Sequence, residues 1–552
     1  MVHLSAPTAP WWAHAVFYEI YPRSFQDSNG DGIGDLNGIT ARLDALRDLG
    51  VDAIWLTPIF PSPQVDFGYD ISNYEAIDPM YGTMADFDHL IAEAKKRHIR
   101  VLLDMVMNHT SDKHPWFVES SRSRDNAKRD WYVWRDGKAP GQPPNNWQSL
   151  FGHSAWQYDA RTQQWYYHKF YVQQPDLNWN NPDVQAAMFN TVRFWLNRGV
   201  DGFRLDAITT LFEDPELRDE PVLPGTNAFG DPNLDHTLTD NQPQVHTVLR
   251  DLRTIVEEYP GDRVLIGETY LSSVQELAKM YGSHNDELQL PMDMQLGTLN
   301  RMDAQAFRER LREAQTELHG NLPLFVFDNH DIARSWDRYG DGIHNAAIAR
   351  VIAALQLTTR SVPLLYYGQA IGMVTTPPKT RAQVQDPIGR IGWPKEKGRD
   401  GERTPMQWTP GKNAGFSTAA KTWLPVAANY KTVNVQTESA QPDSLYLWYK
   451  HLIALRRSNP ALRDGTEILL NTSDANVLSY LRLSPDGKHA VVVALNCTAQ
   501  KHTVHFDLAS YGLRSTHART LLHSGAVAER VALHHIHLPP FAVWIGQVES
   551  GN

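Results

Sequence analysis

Short apolar runs that alternate with helical patterns constrain the fold of this chain more than any other feature. The first run is followed by residues 36–49, in which Leu or Ile recurs every three or four positions, as on one face of a helix. Runs separated by helices are typical of an α/β fold, and eight of them predict a parallel (β/α)8 barrel. The eight runs are residues 15–22, 52–58, 100–107, 201–208, 263–270, 288–296, 322–330 and 362–367.

This alternation is interrupted once and later ends. Residues 108–178 are rich in Trp, Tyr, Asn and Gly and are far longer than an ordinary loop, so we expect a subdomain inserted after strand three. From residue 465, alternating segments such as NVLSYLRLS indicate a C-terminal antiparallel β-sandwich domain. The predicted domains are a barrel of residues 1–107 and 179–464, an insert of residues 108–178 and a β domain of residues 465–552.

Charge and composition exclude several classes of protein. A net charge of −11 without a basic run argues against a nucleic-acid partner, and no apolar window is long enough to predict a membrane span. The first sixteen residues lack the basic and apolar regions of a signal peptide, and Cys497 is the only cysteine. We therefore predict a cytoplasmic protein, or a periplasmic one if a signal peptide was trimmed.

The stretch QDSNGDGIGDL, residues 26–36, has the ligand spacing of a calcium loop, with Gly32 at its sixth position. An EF-hand sensor is excluded because position twelve is Gly38 instead of Glu and Pro22 precedes the loop. We predict a structural Ca²⁺ or Mg²⁺ here and no organic cofactor; an Asx-rich turn without metal is the alternative. The predicted ligands are Asp27, Asn29, Asp31, the carbonyl of Ile33, and Asp35.

Polar side chains lie at the C-terminal ends of four of the predicted strands, where barrel enzymes have their catalytic residues. Arg204 and Asp206 are two apart on one strand and project to the same side, so the Arg would hold the Asp ionised as a nucleophile. Glu268 follows an apolar run, where desolvation would raise its pKa and suit it to donate a proton. Asp331 offers a third carboxylate for sugar hydroxyls.

Two carboxylates facing each other across a sugar are what glycoside hydrolysis requires. In a retaining enzyme their carboxyl groups lie about 5–5.5 Å apart, which is the separation we predict for Asp206 and Glu268. Each residue alone could equally be a helix cap or half of a buried salt bridge. Three carboxylates, two His and an Arg at four strand ends favour the catalytic interpretation.

These stretches resemble those of the α-amylase superfamily, glycoside hydrolase family 13, and especially its oligo-1,6-glucosidase and α-glucosidase branch. The resemblance extends from FYEIYPRSF to RTPMQW; QPDLNW is characteristic of the branch, and DSNGDGIGDL is occupied in relatives by calcium or magnesium. It implies that Asp206 is the nucleophile, Glu268 the general acid/base and Asp331 the carboxylate that binds the 2- and 3-hydroxyls.

The resemblance also implies a set of substrate-binding residues. Their aromatic and His members could alternatively be ordinary core residues. The set comprises Arg204, His109 and His330 around the −1 sugar, Asp66 and Tyr69 closing that subsite, Phe151, Phe170 and Gln174 in the wall, and Arg399, or alternatively Arg403, on the terminal sugar.

Ala207 directly follows the predicted nucleophile. In the branch, Val at this position accompanies α-1,6 cleavage, whereas Ala or Thr accompanies α-1,4 preference. We therefore predict a retaining exo-α-glucosidase that acts on small oligosaccharides or glucosides such as maltose, as a monomer or homodimer. The insert would wall off the glycone end. The alternative is an α-glucosyltransferase with a sugar or alcohol acceptor.

Other functions within the superfamily fit less well. The string RLDRD, associated with sucrose isomerases, is absent, and a non-enzymatic transporter-associated chain would lack the carboxylates and carry a membrane span. The sequence departs from its relatives at Gln369 and Ala370, where two acidic residues are usual, and at Phe67, where Asn is common. Because none of these is a predicted catalytic carboxylate, we expect activity to be retained.

Overall fold

A computed structural model describes residues 9–525 and 527–549. The first eight residues, part of the segment considered above for a signal peptide, lie outside this range. Twenty-one strands occur in the described residues: β1 Phe17–Ile20, β2 Ala53–Leu56, β3 Arg100–Val106, β4 Trp134–Arg135, β5 Trp156–Asp159, β6 Gln164–Tyr167, β7 Gly202–Asp206, β8 Val222–Thr226, β9 Pro232–Leu234, β10 Val264–Gly267, β11 Leu290–Asp293, β12 Leu324–Val326, β13 Val362–Tyr366, β14 Thr466–Leu470, β15 Val477–Leu483, β16 Ala490–Asn496, β17 His502–Val504, β18 His517–His523, β19 Arg530–Ala532, β20 Ile536–Leu538 and β21 Val543–Val548.

Helices separate the barrel strands and cover them. Several of the longer ones begin at capping residues; α2, for example, starts after Asp35, whose side chain accepts the Gly38 N–H, and ends at Gly50 with φ +103°. The α-helices in this part of the chain are α1 Pro22–Phe25, α2 Leu36–Leu49, α3 Met84–Lys96, α4 Pro115–Ser120, α5 Pro182–Asn197, α6 Val245–Glu257, α7 Val274–Lys279, α8 Ala304–Glu317, α9 Ser335–Arg338, α10 Asn345–Thr358, α11 Pro387–Gly392, α12 Val435–Ser439, α13 Leu445–Ser458 and α14 Pro460–Asp464.

Eight strands close into a barrel in the order β1–β13–β12–β11–β10–β7–β3–β2. All neighbours are parallel, and Phe17 of β1 pairs with both Ala53 of β2 and Leu364 of β13, which closes the sheet. Each of these strands lies within one of the eight predicted runs. The predicted (β/α)8 barrel is therefore confirmed.

Side-chain alternation along the strands decides which groups reach the barrel interior. Val264 and Ile266 of β10 pack in the lumen, whereas Leu265 packs outward against the helices. Glu268 continues the inward series two residues later, at the carboxyl end of the strand. The same alternation points three more polar side chains into the barrel interior near the carboxyl ends of their strands: Glu19, Asp104 and Arg204.

Two segments extend the barrel above its carboxyl end. The chain between β3 and α5 contains α4 and a small antiparallel sheet in the order β4–β6–β5, and a bridge between His109 and Asp176 joins its two ends. After β7, an antiparallel β8–β9 hairpin rises beside it. The hairpin was not predicted, because residues 222–234 contain two Pro and two Gly and show no apolar alternation.

The C-terminal part of the chain forms a six-stranded sheet, β14–β15–β16–β21–β18–β19, and a two-stranded sheet, β17–β20. All the paired strands are antiparallel, as predicted. Barrel and sheet are joined by hydrogen bonds such as that from Arg308 to the carbonyl of Val477, 2.7 Å long. Within residues 9–525 and 527–549, no helix is both long and apolar enough to cross a membrane.

Candidate active site

A cavity of about 590 Å³ opens at the carboxyl ends of the barrel strands. Gln174 and Arg204 do not line it but lie directly behind lining residues, as described below. The other predicted catalytic and binding residues all line its surface: Asp66, Tyr69, His109, Phe151, Phe170, Asp206, Ala207, Glu268, His330, Asp331 and Arg399.

Arg204 joins the two predicted catalytic carboxylates. Its Nη1 lies 2.5 Å from Oδ1 of Asp206, and its Nη2 lies 2.5 Å from Oε1 of Glu268. Nη1 also donates to Asp104 at the end of β3, 2.9 Å away. One fully buried guanidinium therefore fixes three carboxylates from neighbouring strands, and it holds Asp206 and Glu268 near each other in the cavity.

Burial and charge act in opposite directions on this pair. Burial raises the pKa of Glu268 to about 7. The positive charge of Arg204 lowers this pKa, and repulsion by Asp206 raises it further. Burial likewise raises the pKa of Asp206 to about 7, although the positive charge of Arg204 lowers it. We expected Arg204 to hold Asp206 ionised; instead, the effect of desolvation on the pKa of Asp206 outweighs that of Arg204.

Ala207 holds the second oxygen of Glu268. Its main-chain N–H donates to Oε2 over 2.8 Å, directly after Asp206 in the chain. The residue adopts φ +43° and ψ +38°, the left-handed region, at the point where β7 turns into a short 3₁₀ helix. This turn aims both the Asp206 side chain and the Ala207 N–H into the same cavity.

Asp331 lies on the opposite wall between two arginines. Its Oδ1 accepts hydrogen bonds of 2.9 Å from both Arg399 and Arg403. Burial opposes ionisation of Asp331, but His330, Arg399 and Arg403 outweigh burial and hold its pKa well below the usual range. Burial also lowers the pKa of His330 far below its ordinary value, so near neutral pH the arginines supply the positive charge.

Arg399 connects this carboxylate to the rim of the cavity. Besides Asp331, it donates to Asp66 over 2.8 Å and to Asp386 over 2.8 Å. Between Arg399 and Arg403, the two alternatives for the terminal sugar, only Arg399 lines the cavity. Arg403 is fully buried and donates to the main-chain carbonyl of His330 over 2.7 Å, so it supports the strand end from behind.

Tyr69 and His330 form a stacked pair at the base of the cavity. Their rings lie 5.3 Å apart at 9°, and the Tyr69 hydroxyl contacts both His330 Nε2 at 2.8 Å and Asp104 at 2.9 Å. The other ring nitrogen of His330, Nδ1, lies 2.6 Å from Glu19. Burial raises the pKa of Glu19 well above its ordinary value, so this contact fixes the orientation of a neutral imidazole.

Gln174 positions the residues on the insert side. Its amide nitrogen lies 3.1 Å from Asp66 Oδ2 and 3.1 Å from His109 Nε2. Burial lowers the pKa of His109 to about 3, so its imidazole is neutral. Beside it, Phe170 lies 5.1 Å from the His109 ring and 5.5 Å from Phe151, and these two aromatic residues form an apolar wall.

Several residues of the site were missed in the sequence analysis. Glu19 could have been found, because an acidic residue stood inside the apolar run FYEIYP at inward parity with Phe17. Asp386 had no comparable signal, since only the folded loop brings it to Arg399. Two further residues that line the cavity, Tyr270 and Phe229, were not singled out as site residues from the sequence.

The departures from the family pattern lie away from the cavity surface. Gln369 accepts the Tyr366 N–H over 3.0 Å and donates to Gln356 over 2.9 Å, so two buried amides satisfy each other behind the barrel. Phe67 packs against Trp423, with ring centres 5.4 Å apart, and beneath the guanidinium of Arg23.

The predicted metal loop is ordered by its own hydrogen bonds. Asp27 accepts the N–H groups of Asn29, Gly30 and Gly32 over 2.7–3.0 Å. Asp31 accepts the Ile33 N–H over 2.8 Å. The described residues contain no group of three or more His, Cys, Asp or Glu side chains gathered as metal ligands. The loop's hard oxygen atoms nevertheless suit Ca²⁺ or Mg²⁺, and the metal stays a prediction.

Fold and cavity together define a barrel enzyme with paired carboxylates, the architecture of a glycoside hydrolase. A family model described as alpha amylase, catalytic domain, matches residues 19–465. The chain therefore belongs to the alpha-amylase family of glycoside hydrolases, which confirms the resemblance and the assignment as an enzyme.

Several relatives with named activities are similar to this chain over most of their length. A probable alpha-glucosidase of Rhizobium meliloti is 43% identical over 87% of this chain and 88% of its own length. An oligo-1,6-glucosidase of Parageobacillus thermoglucosidasius is 39% identical over 88% of this chain and 90% of its own length. The solved structure of the alpha-glucosyl transfer enzyme XgtA superposes with a TM-score of 0.89 at 37% identity, covering 98% of this chain and all of that one.

A further solved structure has a different named activity. The trehalulose synthase MutB from Pseudomonas mesoacidophila MX-45 superposes with a TM-score of 0.89 at 35% identity, over 98% of this chain and all of its own. Enzymes named for α-glucosyl transfer and for trehalulose synthesis therefore share this backbone, so the particular reaction has to be argued from the cavity.

Proposed function

We propose that this chain is a retaining, exo-acting α-glucosidase that releases glucose from the non-reducing end of short α-glucosides. One observation carries the proposal: the guanidinium of Arg204 contacts Asp206 and Glu268 at 2.5 Å each. Two carboxyls that contact the two ends of one guanidinium lie close together, which fits the short separation of a retaining pair. Such proximity favours double displacement over direct attack by water.

In the proposed first step, Asp206 attacks the anomeric carbon and Glu268 protonates the departing oxygen. The bond to the aglycone breaks as the bond to Asp206 forms, leaving a β-glucosyl ester on Asp206 and a free alcohol. In the second step Glu268, now a carboxylate, removes a proton from water, which attacks the anomeric carbon and releases Asp206. A pKa raised to about 7 suits Glu268 to donate a proton in the first step and to accept one in the second.

Asp331 would hold the 2- and 3-hydroxyls of the reacting sugar. Because Arg399 and Arg403 keep it ionised, it can accept two hydroxyl hydrogen bonds that strengthen as positive charge develops on the ring. Asp66 lies beyond Arg399, where the terminal sugar's outer hydroxyls would reach. Phe151, Phe170 and Arg399 enclose that end, which supports cleavage from the chain terminus.

A preference for α-1,4 linkages rests on Ala207. In its left-handed turn the residue lines the cavity beside both carboxyls, so a branched side chain there would crowd one orientation of the aglycone. Relatives named for α-1,6 activity are nearly as similar as those named alpha-glucosidase. Linkage is therefore proposed from this one position and not from the overall similarity.

Transfer of glucose to another acceptor is the second candidate function. The similarity to an enzyme named for α-glucosyl transfer supports it, and so does the open aglycone side, where Tyr270 is 47% exposed. A sugar or alcohol bound there could replace water in the second step of the same mechanism.

One experiment separates these functions. Purified protein is incubated with maltose, isomaltose, sucrose or trehalose at low and high concentration, and products are followed by chromatography and by ¹H NMR of the first-formed anomer. We expect α-glucose as the initial product, the fastest release from maltose, and transfer products only at high substrate concentration. Initial β-glucose would overturn retention, and transfer products dominating at low concentration would favour the transferase.

A further inference from the structure

A second, larger cavity lies at the other end of the barrel. It encloses about 760 Å³ and is lined by residues at the amino ends of several barrel strands, including Val16, Asp52 and Val101. It shares no lining residue with the cavity that contains Asp206. Its size is in the range of pockets that bind small molecules.

The charge of this cavity is opposite to that of the whole chain. Among the described residues, seven Lys and Arg side chains line it against two Asp, although the chain has a net charge of −11. Two further carboxylates, Asp88 and Asp464, pair with lining arginines from outside. Even when both are included, the cations outnumber the carboxylates by seven to four.

The arginines at the strand starts share a single carboxylate. Arg100 and Arg263 both donate to Oδ1 of Asp201, over 2.8 and 2.7 Å. One negative charge therefore faces two positive ones. The Nε of Arg263 is buried without a hydrogen-bond partner among the described residues.

Arg456 is a buried cation without a carboxylate. It is 3% exposed and donates through Nη1 to the carbonyls of Leu357 and Thr359, each 3.1 Å away, while its Nε has no partner in the described part of the chain. Burial, together with the charge of Arg482, lowers its pKa to about 9, although the carboxylates of Glu467 and Asp464 act in the opposite direction. A buried charge with neutral partners only is costly, and an anion in the cavity would offset that cost.

Capping of helix ends explains only some of these residues. Lys95 and Arg198 lie at the carboxyl ends of α3 and α5, where cations stabilise the helix dipole. Arg100 and Arg263 instead begin strands, which have no comparable dipole. His14, at the rim, also has a buried Nδ1 without a partner among the described residues.

We propose that this cavity is a second ligand site, which binds a small phosphorylated anion carrying at least two negative charges. Several guanidinium groups converge there, and their planar donor pairs match phosphate oxygens. Inorganic polyphosphates and small phosphate esters share the necessary chemistry. The site is independent of the proposed glucosidase function.

Inorganic pyrophosphate is the probe that tests this site. Binding is measured by isothermal titration calorimetry and by the shift in melting temperature, in buffer without a chelator and without added divalent cations. Sodium chloride at equal ionic strength is the reference. We expect saturable binding and a rise in melting temperature that the chloride reference does not reproduce. The same rise with chloride would mean general screening and would overturn the proposal.

Charge-reversed variants locate the binding. Lys95→Glu/Arg198→Glu alters two cavity residues, and Lys96→Glu/Arg193→Glu makes the same charge change on the same two helices outside the cavity. The first variant should bind pyrophosphate at least about tenfold more weakly, and the second should bind as the wild type does. Equal affinities for the two variants would refute the site.

A third variant covers the case in which the first one folds poorly. Arg457→Gln removes a lining cation whose side chain is 55% exposed. It should weaken pyrophosphate binding without loss of secondary structure by circular dichroism. An unchanged affinity in this variant would also contradict the proposal.

Phosphate esters are distinguished from inorganic polyphosphate by the same titration. Tighter binding of a ribose 5-phosphate or nucleoside diphosphate than of pyrophosphate would identify an esterified ligand, and the reverse order would identify an inorganic one.

Discussion

The main-chain N–H of Ala207 donates a hydrogen bond to Glu268 over 2.8 Å, so the peptide that follows Asp206 also orients the predicted acid/base. The predicted nucleophile and the residue associated with linkage preference therefore lie in one turn, and the predicted acid/base is hydrogen-bonded to that turn. That turn requires φ +43° at Ala207, a conformation that disfavours β-branched side chains.

Ala207→Val tests the linkage assignment. The added methyl groups should crowd the α-1,4 aglycone, and one such contact is worth roughly 1–3 kcal/mol, so the ratio of kcat/KM for isomaltose over maltose should rise about tenfold or more. Ala207→Thr is the control, since it has a similar branched shape but accompanies α-1,4 preference in the branch. If both variants shift the ratio equally, shape alone at position 207 does not set the linkage.

Asp206→Asn should abolish measurable turnover of maltose while preserving the fold. The amide retains the shape of the carboxyl but cannot form the glucosyl ester, and Arg204 keeps two other carboxylate partners, Asp104 and Glu268. Circular dichroism and thermal melting check the fold, and a coupled glucose assay checks activity. Turnover near the wild-type rate would remove Asp206 from the mechanism.

Glu268→Gln should slow maltose cleavage by about 10²–10⁴-fold, the usual contribution of a positioned general acid. A glucoside with an acidic phenol as leaving group needs little protonation, so the first step should be much less impaired with that substrate. A burst of phenol followed by slow turnover is expected in stopped-flow measurements. Equal impairment of both substrates would argue that Glu268 acts structurally.

The pH profile of kcat/KM follows from the same pair. The proposed mechanism requires Asp206 ionised and Glu268 protonated, and burial raises the pKa of each to about 7. We therefore expect activity to fall above about pH 7 as Glu268 loses its proton, and to fall below it as Asp206 gains one. With the phenolic substrate, Glu268→Gln should lose this alkaline decline in the burst rate; a decline that persists would have to come from another group.

Chelation tests the predicted metal. If the loop of residues 27–35 binds Ca²⁺ or Mg²⁺, EDTA should lower the melting temperature while kcat/KM at 25 °C stays nearly unchanged, because the loop lies at the start of α2 and outside the cavity. Asp31→Asn is the matched variant: Asp31 is exposed, and an amide oxygen can still accept the Ile33 N–H. The variant should need more metal for the same stabilisation. Identical melting with and without EDTA would favour the metal-free turn.

Local sequence patterns predicted the barrel strands well because each strand is buried on both faces. A run such as RVLLDMV shows its apolar character whatever its neighbours are, and its carboxyl end marks where polar groups reach the cavity. The β8–β9 hairpin escaped prediction because it is exposed: its apolar Val222 is 67% accessible and no buried face imposes a period on the segment.

The sequence by itself determined the barrel, the C-terminal antiparallel sheet and the residue types at the strand ends, since all of these follow from periodicity and from short continuous stretches. Only the tertiary structure decided that Arg204 contacts Glu268 from the next strand and that Arg399 joins Asp66, Asp331 and Asp386. These partners are separated by 13 to 333 residues along the chain, and the strength of their charges depends on the burial that folding produces.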